Sequence, residues 1–258
     1  MQRPPSELRA TTEIEFGIAV EGPEQLDALQ RGLISTGEFV PAQGVARRLF
    51  YVDGNLYENA AGNLAWVIQV DLIPFIGSSD TGTVLRPQAS PDHFLNVSGI
   101  AALRSSFNIE VEAGLVIRVG STAALTLMAL TAWVCLGQAA GAARINLARF
   151  LTDYRPEDQD RMWQLESDCI KALDYDEAFA DAVFHGREIA DICEAEVLEQ
   201  LRSALTGYDN RRRFASEIAR AYLESRVRDS SDGSSRLERI ADAFCIGFVG
   251  RRQDESDA

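Results

Sequence analysis

The spacing of apolar and polar positions changes once along the chain, and the change divides it. In Arg9-Ala-Thr-Thr-Glu-Ile-Glu-Phe-Gly-Ile-Ala-Val20 apolar residues alternate with small or acidic ones. That pattern predicts a strand with Glu13, Glu15, Gly17 and Ala19 on one face and Ile14, Phe16, Ile18 and Val20 on the other. Pro23 then opens a segment with Leu26, Leu29, Leu33 and Ile34 at helical spacing, predicting a helix over 23–36 that stops at Gly37. Leu49–Val52 and Leu64–Ile73 read as strands, Gly77–Gly82 as a loop or hairpin tip, 96–107 as a helix and Leu115–Val119 as a last strand. From Ser121 the alternation stops. Helical segments follow at 121–137, 142–153, 157–173, 176–206 with a break, 210–227 and 235–248, with Asp229–Ser235 as a flexible loop. The expected fold class is α+β. A mixed sheet with flanking helices fills 1–120, a helical domain fills 121–250, and 251–258 is a disordered tail.

Composition narrows the function classes. A chain of 258 residues with 46% hydrophobic and 25% charged content is an ordinary soluble globular protein with ample core. Its net charge of −14, with Lys171 the single lysine, rules against a broad phosphate-binding surface, so any nucleic-acid contact is local. Arg211-Arg-Arg213 is the only compact basic run, with Arg47-Arg48 a weaker one, and a solvated helix face is the simplest reading of both. Cys135, Cys169, Cys193 and Cys245 form no CxxC pair, which together with the lack of a signal-like N-terminus indicates reduced thiols and a cytoplasmic location. The charge-free run between Arg118 and Arg144 contains Gly, Ser, Thr and Gln, and a buried helix accounts for it better than a membrane span.

The chemistry the residues suggest is carboxylate chemistry. Glu13 and Glu15 project from one strand face; if the strand Gln69-Val-Asp-Leu-Ile-Pro-Phe75 pairs beside it, Asp71 joins them. Three oxygen donors at one place suit a hard divalent cation, Mg2+ or Mn2+, and hence phosphoryl or nucleotidyl transfer. A solvent-facing strand edge is the plain alternative. Arg9 and Thr11 are placed to orient the acids or touch phosphate, and Arg144 is the best remaining phosphate contact. Trp133, Tyr154 and Trp163 read as core, and His185-Gly-Arg187 as a cap and turn between helices without chemistry.

The blocks occur in a recognisable order: Arg9-Ala-Thr-x-acid-x-acid-Phe, Val70-Asp-Leu-Ile-Pro-Phe75, Leu95-Asn-Val-x-Gly-Ile100, Val116-Ile-Arg-Val119, Leu130-x-Ala-Trp133 and Leu147–Tyr154. Over residues 9–205 this series resembles the AbiEii/AbiGii-type nucleotidyltransferases of the polymerase-beta-like superfamily. The resemblance implies a carboxylate triad of Glu13, Glu15 and Asp71 as metal ligands and catalytic groups on a mixed sheet, with a helical domain appended. It also implies NTP as substrate, and many such proteins are toxins paired with a cognate antitoxin. The chain departs from the pattern at its polar positions. Met1 stands eight residues before Arg9, which leaves no room for the family's phosphate-gripping element, and glutamates replace the paired aspartates. Ala129, Cys135-Leu136 and Ala142-Ala143 stand where the family carries lysine, Asp-Arg and Lys-Asp. Two functions are therefore expected: a metal-dependent nucleotidyltransferase, impaired and weak in NTP binding, that modifies an RNA or protein hydroxyl, or an inactive relative that acts by binding a partner.

Overall fold

The computed structural model describes residues 13–52, 68–76, 105–137, 140–156, 176–225 and 231–250. The chain divides into two compact units, 1–81 and 82–258. Arg9, Thr11 and the expected helix over 157–173 lie outside the described residues.

The first unit holds β1 (Glu13–Val20), α1 (Pro23–Ser35), β2 (Phe39–Pro41), β3 (Arg48–Tyr51) and β4 (Ile68–Ile76). Proline in the first turn starts α1, and Gly37, at φ 80°, ends it in a conformation that side chains with a Cβ resist. The four strands are ordered β1-β4-β3-β2, with β1 parallel to β4 and the other pairs antiparallel. Val20, Leu49, Val70 and Leu72 form the core of this unit with Leu26 of α1. The apolar back of β1 is buried only at its C-terminal end. Val20 is 5% exposed, while Ile14 and Phe16 are 37% and 46% exposed.

The second unit begins, in the described residues, with the hairpin β5 (Ser106–Glu112) and β6 (Leu115–Gly120), a separate two-stranded sheet. Residues 106–107, expected at the end of a helix over 96–107, belong to β5. Phe107, Ile109 and Val111 alternate with Asn108, Glu110 and Glu112, and Gly114 at φ 81° turns the chain back. Six described helices follow: α2 (Thr122–Leu136), α3 (Gly141–Asp153), α4 (Glu177–Ile192), α5 (Ala195–Leu205), α6 (Tyr208–Ser225) and α7 (Ser231–Gly250). Ser121 caps α2 by accepting from the Ala124 amide at 3.2 Å, and Asp176 caps α4 through the amides of Ala178 and Phe179. Residues 231–235, expected in a loop, form the first turns of α7. The charge-free run is α2, buried on several sides by Leu127, Leu130 and Trp133 among the other helices. Among the described residues no helix is long and apolar enough to cross a membrane. The fold class is α+β.

Candidate functional site

Strand register brings two of the three expected carboxylates side by side. β1 and β4 run parallel with Glu15 opposite Asp71 and Glu13 opposite Gln69. Residues paired in this way share a face, with strands about 4.8 Å apart. The antiparallel β3 adds Arg48 opposite Asp71 from the other side. A polar row Arg48, Asp71, Glu15 therefore crosses three strands. Of Glu13 only the backbone position is described, one pleat along the same face.

Arg48 engages Asp71 in a fork. Its Nε donates to Oδ1 at 2.7 Å and a terminal nitrogen to Oδ2 at 2.8 Å, while the Gln69 amide donates to Oδ2 at 3.0 Å. Bidentate, charge-assisted pairs of this kind are strong for their class, though these side chains remain 33% and 23% exposed and water screens them. An ionised carboxylate offers about four acceptor sites. Three of those on Asp71 are used. A divalent ion needs oxygens at about 2.0–2.6 Å and would have to displace or crowd a guanidinium already seated there. The described donor set thus fits an ion pair, and does not fit a resident Mg2+. Among the described residues no three His, Cys, Asp or Glu side chains group closely enough to hold a metal.

Arg144, expected on phosphate, is turned to protein. Its guanidinium lies 3.6 Å from Glu217 of α6, which also accepts the Trp133 indole N–H at 2.8 Å. Ala129 is buried, Cys135 half-buried and Leu136 exposed. Burial pushes the Cys135 thiol up to about 11 and the Cys193 thiol to about 12, so both are poor nucleophiles.

A second polar cluster lies on α4. His185 is not in a turn. It is fully buried in mid-helix, stacked on Tyr154 at 3.9 Å between centroids. The Thr126 hydroxyl donates to the Thr122 carbonyl at 2.7 Å, so the 2.9 Å contact between Thr126 and His185 Nε2 assigns the proton to Nε2. Nδ1 then carries a lone pair, 3.9 Å from Glu188 Oε2, which accepts from the Tyr154 hydroxyl. One turn earlier Asp181 is 2% exposed, with neither carboxylate oxygen hydrogen-bonded and the Arg155 guanidinium 3.5 Å away. Tyr154, Arg155 and Glu188 also line a cavity of about 390 Å³ with Ser105, Ser121 and Asp191. The legible signal was the spacing of Asp181, His185 and Glu188, which places three polar groups on one helix face.

Burial raises the Asp181 carboxyl to about 6, with Arg155 pulling the other way. An acid whose folded value lies above its unfolded one favours the fold when protonated, and that contribution is lost as pH rises through about 6. Burial lowers His185, whose contribution is present above about 6.5 and is lost as pH falls. Asp181→Asn should therefore stabilise the protein at pH 8, by up to about 3 kcal/mol at 1.36 kcal/mol per pH unit. It should also steepen the loss of stability below pH 6.5, where His185 then acts unopposed. Urea midpoints across pH 5–8 read both effects; an unchanged or lowered midpoint at pH 8 would contradict the assignment.

No protein-family model, curated protein or solved structure matches the chain.

Proposed function

We propose that this chain is a nucleotidyltransferase-like protein that no longer turns over NTP and acts by binding a protein partner, as a toxin–antitoxin-like component. The observation that carries the reading is the Arg48 fork on Asp71: the acid that the family resemblance assigns to metal holds a guanidinium instead. Arg144 adds to it, since its charge is turned toward Glu217 rather than left for a triphosphate. The hairpin supports the partner. Phe107, Ile109 and Ile117 share one face by register and are 49%, 38% and 36% exposed. Isolated two-stranded sheets are marginal in water, and an exposed apolar stripe on one is characteristic of an interface.

Thermal shift with Mg2+ or Mn2+, alone and with each NTP, tests it. The expected result is no shift from either metal, whether alone or added to an NTP. A ligand that binds only the folded state adds about 2.7 kcal/mol at a hundred times its dissociation constant, so binding would be plain. A metal-dependent NTP shift accompanied by transfer of label from α-labelled NTP would overturn the proposal.

The second reading, a working metal-dependent transferase, is favoured by the Glu15 to Asp71 register, which sets two acids adjacent as metal ligation requires. Arg48→Met separates the two. If the fork is what keeps a cation out, the variant gains stabilisation by Mn2+ that the parent lacks. A transferase that uses Arg48 loses activity instead.

A further inference from the structure

Arg211-Arg-Arg213, which reads in sequence as a solvated face, does not stay together in the fold. Arg213 turns to the ring of Trp133, 5.4 Å from its centroid. Arg211 and Arg212 line a groove of about 570 Å³ between α6 and α7, and Arg239 enters the same groove from α7. Two consecutive helices thus bring three guanidinium groups to one concavity on a chain of net charge −14. Each is held differently. Arg211 lies 3.7 Å from Asp242, and Arg239 lies over the Phe179 ring at 4.3 Å, which leaves the edge of its planar fork free to donate. Arg212 is exposed. Tyr208, at the start of α6 and 68% exposed, is an aromatic ring at the same groove. Glu238 and Asp242 also line it, so the groove carries a net excess of one positive charge and does not attract every anion.

We propose that this groove binds a phosphate ester bearing a planar base, the unit common to a free nucleotide and to single-stranded RNA. Planar guanidinium forks match phosphate oxygens bidentately, and an exposed tyrosine gives a base a stacking surface worth about 1–3 kcal/mol. The volume falls in the range of about 300–1,000 Å³ usual for small-ligand sites. The site lies wholly within the helical unit and is independent of the carboxylate row.

The test is fluorescence anisotropy of a short labelled oligoadenylate at low salt in EDTA, with AMP, inorganic phosphate and polyglutamate as competitors. EDTA removes any contribution from a metal at Glu15 and Asp71. The combined Arg211→Ala, Arg212→Ala and Arg239→Ala variant should weaken binding about tenfold or more and lower the slope of log affinity against log salt by about 2, at roughly 0.7 per phosphate contact on a single strand. Arg220→Ala, on the same helix but 67% exposed and paired with Glu224, should change neither. Tyr208→Ala should weaken AMP competition and leave that of inorganic phosphate unchanged. Displacement of the oligomer by AMP identifies a free nucleotide as sufficient, and an oligomer that AMP cannot displace identifies the strand; either supports the site. Arg212→Glu, a single exposed change, gives the same reading if the triple variant does not fold. The proposal is overturned by absence of binding, by a triple variant that binds as the parent does, or by polyglutamate displacing the oligomer.

Discussion

Gly247→Ala disrupts the helical unit, although alanine is the better helix former. On an exposed helix the exchange is favourable by about 1 kcal/mol. Here α7 crosses α4 at a contact between backbones. A Cβ built on Gly247 falls 2.0 Å from the Val183 carbonyl oxygen and 2.7 Å from its carbon. The opposite side is as tight, since a Cβ on Gly186 falls 2.4 Å from the Phe244 oxygen and 2.6 Å from the Phe248 nitrogen. These are backbone atoms inside helices. They move only if the two helices separate, and separation opens the core around Phe244, Phe248 and Val183, all nearly solvent-free. Overpacking a core ordinarily costs about 1–3 kcal/mol, and a helix-to-helix backbone clash belongs at or above the top of that range. The expected result is a loss of at least about 3 kcal/mol in urea denaturation, or failure to accumulate folded protein. Gly32→Ala in α1 is the control. A Cβ there meets nothing within 4 Å, so that substitution should leave stability unchanged or raise it slightly. Equal effects at the two glycines would mean that the crossing is looser than described.

Phe214→Ala has the next largest expected effect. Phe214 of α6 is fully buried where three helices meet. The Trp133 ring of α2 stands edge-on to it at 4.9 Å, and Phe244 of α7 lies 6.1 Å away at 29°. Removing the ring forfeits its transfer energy, leaves a cavity that rigid helices cannot close, and deletes two aromatic contacts. Such truncations cost about 3–5 kcal/mol. Near-ultraviolet circular dichroism should lose intensity with the stability, because Trp133 would no longer be fixed on that side. A loss below about 1 kcal/mol would place Phe214 outside the core.

Much of the frame is local in origin and was legible for that reason. The alternation of Glu13–Val20 yields β1, and Pro23 and Gly37 bracket α1 within one or two residues. The helices of the second unit follow from periodic apolar residues and caps. Local rules failed where two local signals competed. Ser106–Glu112 alternates as a strand, but its start adjoins a stretch with helical spacing. Ser231–Ser235 has loop composition, yet begins a helix whose later residues Leu237, Ile240, Ala241 and Phe244 anchor it in the core. Gly186 after His185 read as a break, because a sequence does not display the second helix whose backbone needs that space.

The candidate site divides in the same way. That Glu13 and Glu15 share one face of a strand is a property of the sequence, since period-2 alternation fixes it, while the parallel pairing that sets Asp71 beside Glu15 is tertiary. Whether Asp71 meets a metal or an arginine depends on the register of β3, a strand of four residues remote from β1, and register is decided by pairing across the sheet. The basic run was legible as well. Its division, with Arg213 on Trp133 and Arg211 and Arg212 in one groove with Arg239, came only from packing α6 against α3 and α7 with Trp133 of α2 reaching it, because a helix presents adjacent residues about 100° apart and only its neighbours determine what each of them meets.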